Sequence, residues 1–148
     1  MTHYRVTVND RDSFPVEHNS KGAIIDSLKR KGLILESVEI AKKAVEAALD
    51  KQATDIQMLD ISQISSFADY FVVCTADSER QIHAICDAID DALSKEGSKL
   101  YRREGKEDSG WVLLDFGHVI VHVFSTPQRE YYNIEDLWSE ATPVLRIL

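Results

Sequence analysis

Gly110-Trp111-Val112-Leu113-Leu114-Asp115-Phe116-Gly117-His118-Val119-Ile120-Val121-His122-Val123-Phe124 contains two β-prone runs joined at Phe116-Gly117-His118. That joint has too few breaker residues for a long loop. Side chains alternate across a strand, so Val119, Val121 and Val123 share one face of the second run. His118, Ile120, His122 and Phe124 share the other. In the first run Trp111, Leu113 and Asp115 lie on one side, and Val112, Leu114 and Phe116 on the opposite side. Both faces are largely apolar, so the sheet is either covered on both sides or keeps one face for a partner. The stretch holds no Ser, Cys or Lys nucleophile and no phosphate-cradling glycine loop. It points to docking more than to chemistry.

Working outward, Tyr70 to Thr75 (Tyr-Phe-Val-Val-Cys-Thr) is strongly β-prone with little alternation, as expected of a central strand. Thr54 to Ile61 reads as a strand with Ile56, Met58 and Asp60 on one face. Before it, a helix is expected over about Ser37 to Lys51, with Ser37 as N-cap and Val38, Ala41, Val45 and Ala48/Leu49 at helical spacing. A second helix starts at Ser78, where Ser78 and Gln81 stand at capping-box spacing. Ile82, Ile85, Cys86, Ile89 and Leu93 form its buried stripe, and Gly97 ends it. Asp87, Asp90 and Asp91 lie away from that stripe, on a solvated face. Leu100 to Arg103 reads as a short strand, Thr126-Pro127 as the end of the last strand, and Glu135 to Ala141 as a C-terminal helix. The result is a single α/β domain, a mixed sheet of about five strands flanked by helices. It is expected over residues 36–148. Residues 1–35 read as an N-terminal extension, with a short strand at Tyr4 to Val8 and a short helix at Ala23 to Lys31.

The chain has 148 residues and a net charge of −8. The charge is uneven: residues 1–33 hold six Lys/Arg and four Asp/Glu, residues 34–148 eleven and twenty-one. An acidic body repels phosphate backbones, so little direct nucleic-acid contact is expected. A basic protein surface is the better match. No run approaches the ~18 apolar residues of a membrane span. The first ten residues lack the apolar core of a secretory signal, and Asp10, Asp12 and Glu17 argue against a transit peptide, so a cytoplasmic location is expected. Cys74 and Cys86 read as buried, reduced thiols without metal-site spacing.

His118 and His122 point the same way with Asp115 nearby, which invites a metal. No third or fourth ligand has clear spacing, so a structural or interface histidine is preferred. Asp69, at a strand entry, could bind metal in a nucleotidyl-transfer site, but paired acids after a Gly-Ser turn are missing. Capping of a turn is its plainer role. Trp111 begins a strand beside the charged turn Arg102 to Asp108. Arg129, Tyr131 and Tyr132 form a second aromatic-plus-arginine cluster. For this group, interface hot spot and core remain equally open.

Taken together, Phe67-Ala68-Asp69-Tyr70-Phe71-Val72-Val73-Cys74, Ser78-x-Arg80-Gln81, Glu104-Gly105, Gly110-Trp111-x-x-x-Asp115-x-Gly117, Val121-His122-Val123-Phe124, Arg129-x-x-Tyr132 and Leu137-Trp138 resemble the Iojap-type ribosomal silencing factors over roughly residues 36–141. The resemblance implies a non-enzymatic repressor of translation without a cofactor. Such a protein binds the large ribosomal subunit through a small basic ribosomal protein on its intersubunit face and blocks subunit joining when nutrients are short. It implies a fold distantly similar to nucleotidyltransferases but without their metal-binding acids, and a homodimer when free. The partner-facing residues it implies are Trp111, Asp115, Phe116, Arg129 and Tyr132. This chain departs from the family pattern at His118, where many members have Asp, and at Ala76, where Gly is frequent. The alternatives from other classes are a metal-dependent nucleotidyltransferase-like enzyme and a generic dimeric scaffold.

Overall fold

A computed structural model describes residues 6–8 and 36–148. Its elements are β1 (Val6–Val8), α1 (Ser37–Asp50), β2 (Thr54–Asp60), β3 (Tyr70–Ala76), α2 (Glu79–Lys95), β4 (Arg102–Glu104), a 3-10 turn (Glu107–Ser109), β5 (Trp111–Asp115), β6 (Val119–Ser125), α3 (Thr126–Tyr132), α4 (Ile134–Leu137) and β7 (Thr142–Ile147). The strands form one sheet in the order β1-β7-β2-β3-β6-β5-β4. Only the β3–β6 pair is parallel. The sheet is mixed, as expected, and among the described residues it has seven strands where about five are expected.

Every residue of β3 is buried and the strand lies at the centre of the sheet, which explains why its sequence is apolar without alternation. Both long helices cover one sheet face. Ala41, Ala44, Val45 and Ala48 of α1 and Ile82, Ile85, Cys86, Ile89 and Leu93 of α2 pack there on Met58, Tyr70, Val72, Cys74, Val112, Leu114 and Val121. Burial pushes both Cys74 and Cys86 thiols up to about 12, so neither is a thiolate near neutral pH. The other face carries a smaller cluster of Leu59, Ile61, Phe71, Val73 and Phe124, joined among the described residues by Ala68 and by Ile134, Trp138 and Ala141 from the C-terminal segment.

Local signals account for the helix ends. Ser78 Oγ accepts from the Gln81 N–H at 3.1 Å. The Gln81 side chain reaches back to the N–H of Asp77, one residue before the usual capping-box position, and donates to Lys51 and Gln52 carbonyls at 3.1 and 3.0 Å. One side chain thus ties the end of α1 to the start of α2. After α2, the N–H of Ser98 bonds Leu93 O and that of Gly97 bonds Ser94 O. This Schellman closure needs the positive φ of Gly97.

Several expectations are corrected. Ser37 is the first helical residue of α1, and its N-cap is Glu36, which makes no side-chain cap bond. The strand expected at Leu100 to Arg103 lies at Arg102–Glu104. Ser125-Thr126-Pro127 ends β6 and also opens α3: Ser125 Oγ accepts from the Gln128 N–H, and proline sits in the first turn, where its missing N–H costs nothing. The C-terminal helix is one turn, Ile134–Leu137, and the last residues form β7 between β1 and β2. The helix expected at Ala23 to Lys31 lies outside the described residues, as do Tyr4 and Arg5 of the expected first strand.

Candidate protein-docking surface

Among the described residues, the sheet face opposite the long helices carries a continuous band of aromatic rings. Register builds it. Trp111 pairs with Phe124, Leu113 with His122 and Asp115 with Ile120 across β5 and β6, which puts all six side chains on one face. Trp111 stacks on Phe124 with ring centroids 5.1 Å apart and lies 4.5 Å from Tyr132. The His122 imidazole meets Phe71 edge-to-face at 4.8 Å. Phe71 meets Trp138 at 5.0 Å, and Trp138 meets Phe67 at 5.8 Å. Tyr131 stands edge-on to Tyr132 at 5.1 Å. The band therefore runs from Tyr131 to Phe67 without a gap. Its two ends are open, with Tyr131 79% and Phe67 55% exposed. Exposed aromatic surface joined to a packed base is what an interface hot spot requires.

The loop before β5 sets the position of Trp111. Gly105 has φ +88°, and a Cβ there would collide with the Trp111 carbonyl. Gly110 has φ +76°, and a Cβ would come within 2.5 Å of Ser125 Oγ. Both positions therefore demand glycine. Between them the 3-10 turn is held to α2, with His83 bridging Glu107 at 3.2 Å and Asp87 at 3.1 Å, and Arg103 paired to Glu107. A backbone hydrogen bond and then His83 hold the Glu107 carboxyl below the usual carboxylate range.

His122 is the least ordinary residue of the face. It is buried, and its Nδ1 accepts from Trp111 Nε1 at 3.2 Å. Burial pushes its pKa down to about 4, so the ring is neutral near pH 7. With Nδ1 accepting, the proton resides on Nε2, a buried atom with no hydrogen-bond partner.

The family described as "Ribosomal silencing factor during starvation" matches residues 34–147. The chain belongs to that family. The Bacillus subtilis ribosomal silencing factor is 44% identical over 102 residues, 69% of this chain and 86% of that protein. The chloroplastic protein Iojap of Zea mays is 38% identical over 109 residues, 74% of this chain and 47% of that protein. The mouse protein named "Mitochondrial assembly of ribosomal large subunit protein 1" is 28% identical over 92 residues, 60% of this chain and 40% of that protein. A crystal structure from Chromobacterium violaceum superposes with a TM-score of 0.69 at 40% identity, covering 71% of this chain and 88% of that one.

In this silencing-factor fold the five partner-facing candidates separate. Trp111, Asp115 and Tyr132 present surface, the first two half-buried and Tyr132 exposed. The Asp115 carboxylate also accepts from the Gly117 N–H at 2.8 Å and so holds the β5–β6 turn. Phe116 alternates to the other sheet face and is 4% exposed in the helix-covered core. Arg129 is set apart as well. It is buried beneath α3, where it donates to the Asp55 carbonyl, to Thr75 Oγ1 at 2.8 Å and to Glu135 Oε1 at 2.8 Å. Asp55 sits at an irregularity of β2 with φ +44° and is also bound by Arg146 at 3.0 Å. Arg129 is thus a clamp on the backbone of β2. Asp69 is expected to cap a turn through backbone hydrogen bonds, and its carbonyl accepts from the Ile61 N–H at 2.8 Å. Its backbone N–H bonds the His118 carbonyl, and its carboxylate lies 3.8 Å from His118 Nδ1.

Phe71, Phe124, His122 and Trp138 form the base of the band, beyond the five partner-facing residues the resemblance implies. Alternation placed His122 and Phe124 on the face, but no local signal says that Trp138 folds back onto Phe71 and Phe67. Among the described residues, no three His, Cys, Asp or Glu side chains gather to hold a metal ion, and no helix is long and apolar enough to cross a membrane.

Proposed function

We propose that this silencing factor acts by docking and without catalysis. The aromatic face binds a basic protein on the intersubunit side of the large ribosomal subunit, and the bulk of the domain there blocks joining of the small subunit and represses translation under nutrient limitation. The observation that carries the reading is the unbroken aromatic band that ends in the exposed rings of Tyr131 and Phe67. Trp111, Tyr132 and Asp115 are its contact residues. The charge balance of residues 34–148 supports a basic partner over nucleic acid. Family membership supports the ribosome as the target, and the mouse relative's name supports the large subunit.

The free protein is proposed to be a cytoplasmic homodimer. The competing enzyme reading, a metal-dependent nucleotidyltransferase, needs clustered carboxylates, and no observation among the described residues favours it.

Co-sedimentation of the purified protein with isolated large subunits tests the docking step. Saturable pelleting that Trp111→Ala weakens is the expected result. Equal pelleting of wild type and the Trp111→Ala, Tyr132→Ala double variant would place recognition elsewhere on the molecule.

A further inference from the structure

We propose that His122 is a positioning residue of the docking face, which fixes the orientation of the Trp111 indole through the Trp111 Nε1–H to His122 Nδ1 hydrogen bond. The proposal rests on the docking reading for its biological meaning, but the geometry stands without it.

The two residues are not directly opposed. Leu113 faces His122, and Trp111 faces Phe124, so Trp111 and His122 are diagonal neighbours across β5 and β6. Only long side chains span that diagonal. Here the ring centroids lie 5.9 Å apart and the nitrogen-to-nitrogen distance is 3.2 Å. Stacking on Phe124 confines the plane of the indole. It does not decide which edge of the ring turns inward. The hydrogen bond does: it directs the N–H edge toward His122 on β6.

A purely structural histidine is a poor explanation of this site. The residue is 5% exposed among Phe71, Phe124 and Trp111, where a phenylalanine would pack without a polar atom to desolvate. Nε2–H is buried without an acceptor, an arrangement that is unfavourable in itself. What the imidazole offers and an apolar ring does not is the Nδ1 acceptor. Its environment also keeps that acceptor available. The rings packed against it are uncharged, and no charged group bonds it.

Two variants separate positioning from packing. His122→Phe keeps a planar ring and removes the acceptor. His122→Asn places Oδ1 close to the position of Nδ1 and restores it in a smaller side chain. The Trp111 indole N–H resonance, assigned by its loss in Trp111→Phe, is recorded for each folded variant, together with co-sedimentation on isolated large subunits. In His122→Phe the resonance should shift and exchange faster with solvent while the melting temperature is kept or raised. Subunit binding should fall roughly fivefold to tenfold, and His122→Asn should recover part of it despite its looser packing. An unchanged indole resonance in His122→Phe overturns the proposal, whatever happens to binding. So does a shifted resonance with wild-type binding. If wild type itself does not pellet with large subunits, the docking reading fails, and the resonance alone decides whether His122 orients Trp111.

Discussion

Replacing Arg129 with methionine should unfold the chain far more readily than it should weaken docking of the folded fraction. Arg129 is 8% exposed, and its guanidinium bonds three elements at once: the Asp55 carbonyl and Thr75 Oγ1 on adjacent strands, and Glu135 in α4. Glu135 Oε1 lies 2.8 Å from Nε and 2.7 Å from Nη2. Methionine fills similar volume but leaves the Glu135 carboxylate, itself largely covered, without its cation. Removing one partner from a buried pair costs about 3–5 kcal/mol, a large share of the roughly 5–15 kcal/mol that stabilises a whole domain. For a domain of this size the melting temperature should fall by roughly 10–20 °C. Arg129→Lys should rescue little, because one ammonium cannot reproduce a fork aimed at three acceptors. Arg129→Met combined with Glu135→Gln should recover part of the loss by removing the stranded charge. Thermal and urea unfolding on the four proteins measures these values. A melting temperature within about 2 °C of wild type, together with lost subunit binding, would refute the clamp and return Arg129 to the interface.

His122 makes stability depend on pH. Its pKa is about 4 when folded and about 6.5 when unfolded, so the unfolded chain takes up the proton first. The contribution is complete above about pH 6.5 and is lost as pH falls toward 4, by up to about 3 kcal/mol. Urea unfolding of wild type against His122→Phe isolates it, and parallel pH profiles would count against it. Trp111→Ala should cost about 2 kcal/mol or more of docking. Because the indole packs on Phe124 and Tyr132, it should lower stability too, and melting and co-sedimentation on the same sample separate the two. Deleting residues 1–33 removes β1 from the edge of β7 but should leave binding to large subunits nearly unchanged. Loss of binding by a truncated chain with a normal melt would assign recognition to the extension.

The parts of the fold legible in the sequence are those whose partners are close in the chain or whose burial is uniform. The β5–β6 hairpin could be read from alternation around Gly117, β3 from its unbroken apolar run, and α2 from Ser78, Gln81 and a five-residue stripe. β7 was not legible. Its residues include Pro143 and Arg146, which weaken a strand reading, and Arg146 is tolerated because Asp55, 91 residues away, pairs with it. α3 did carry a signal, the Ser125-Thr126-Pro127 start, which reads equally well as a strand end. For the site, alternation placed Trp111 and Asp115 on the open face. The same alternation put Phe116 on the opposite side, against the role that family resemblance gave it. Arg129 could not be placed locally, since its bonds reach 54 and 74 residues back along the chain.

Gradient sedimentation of mixed ribosomal subunits, with and without excess protein, tests the central claim most directly. Small and large subunits are brought together under conditions that favour joining, after the large subunits have been incubated with wild-type protein or with Trp111→Ala. The account predicts that wild type leaves subunits separate and travels with the large-subunit peak, while Trp111→Ala at the same concentration permits joining. Full joining in the presence of saturating, folded wild-type protein would contradict it.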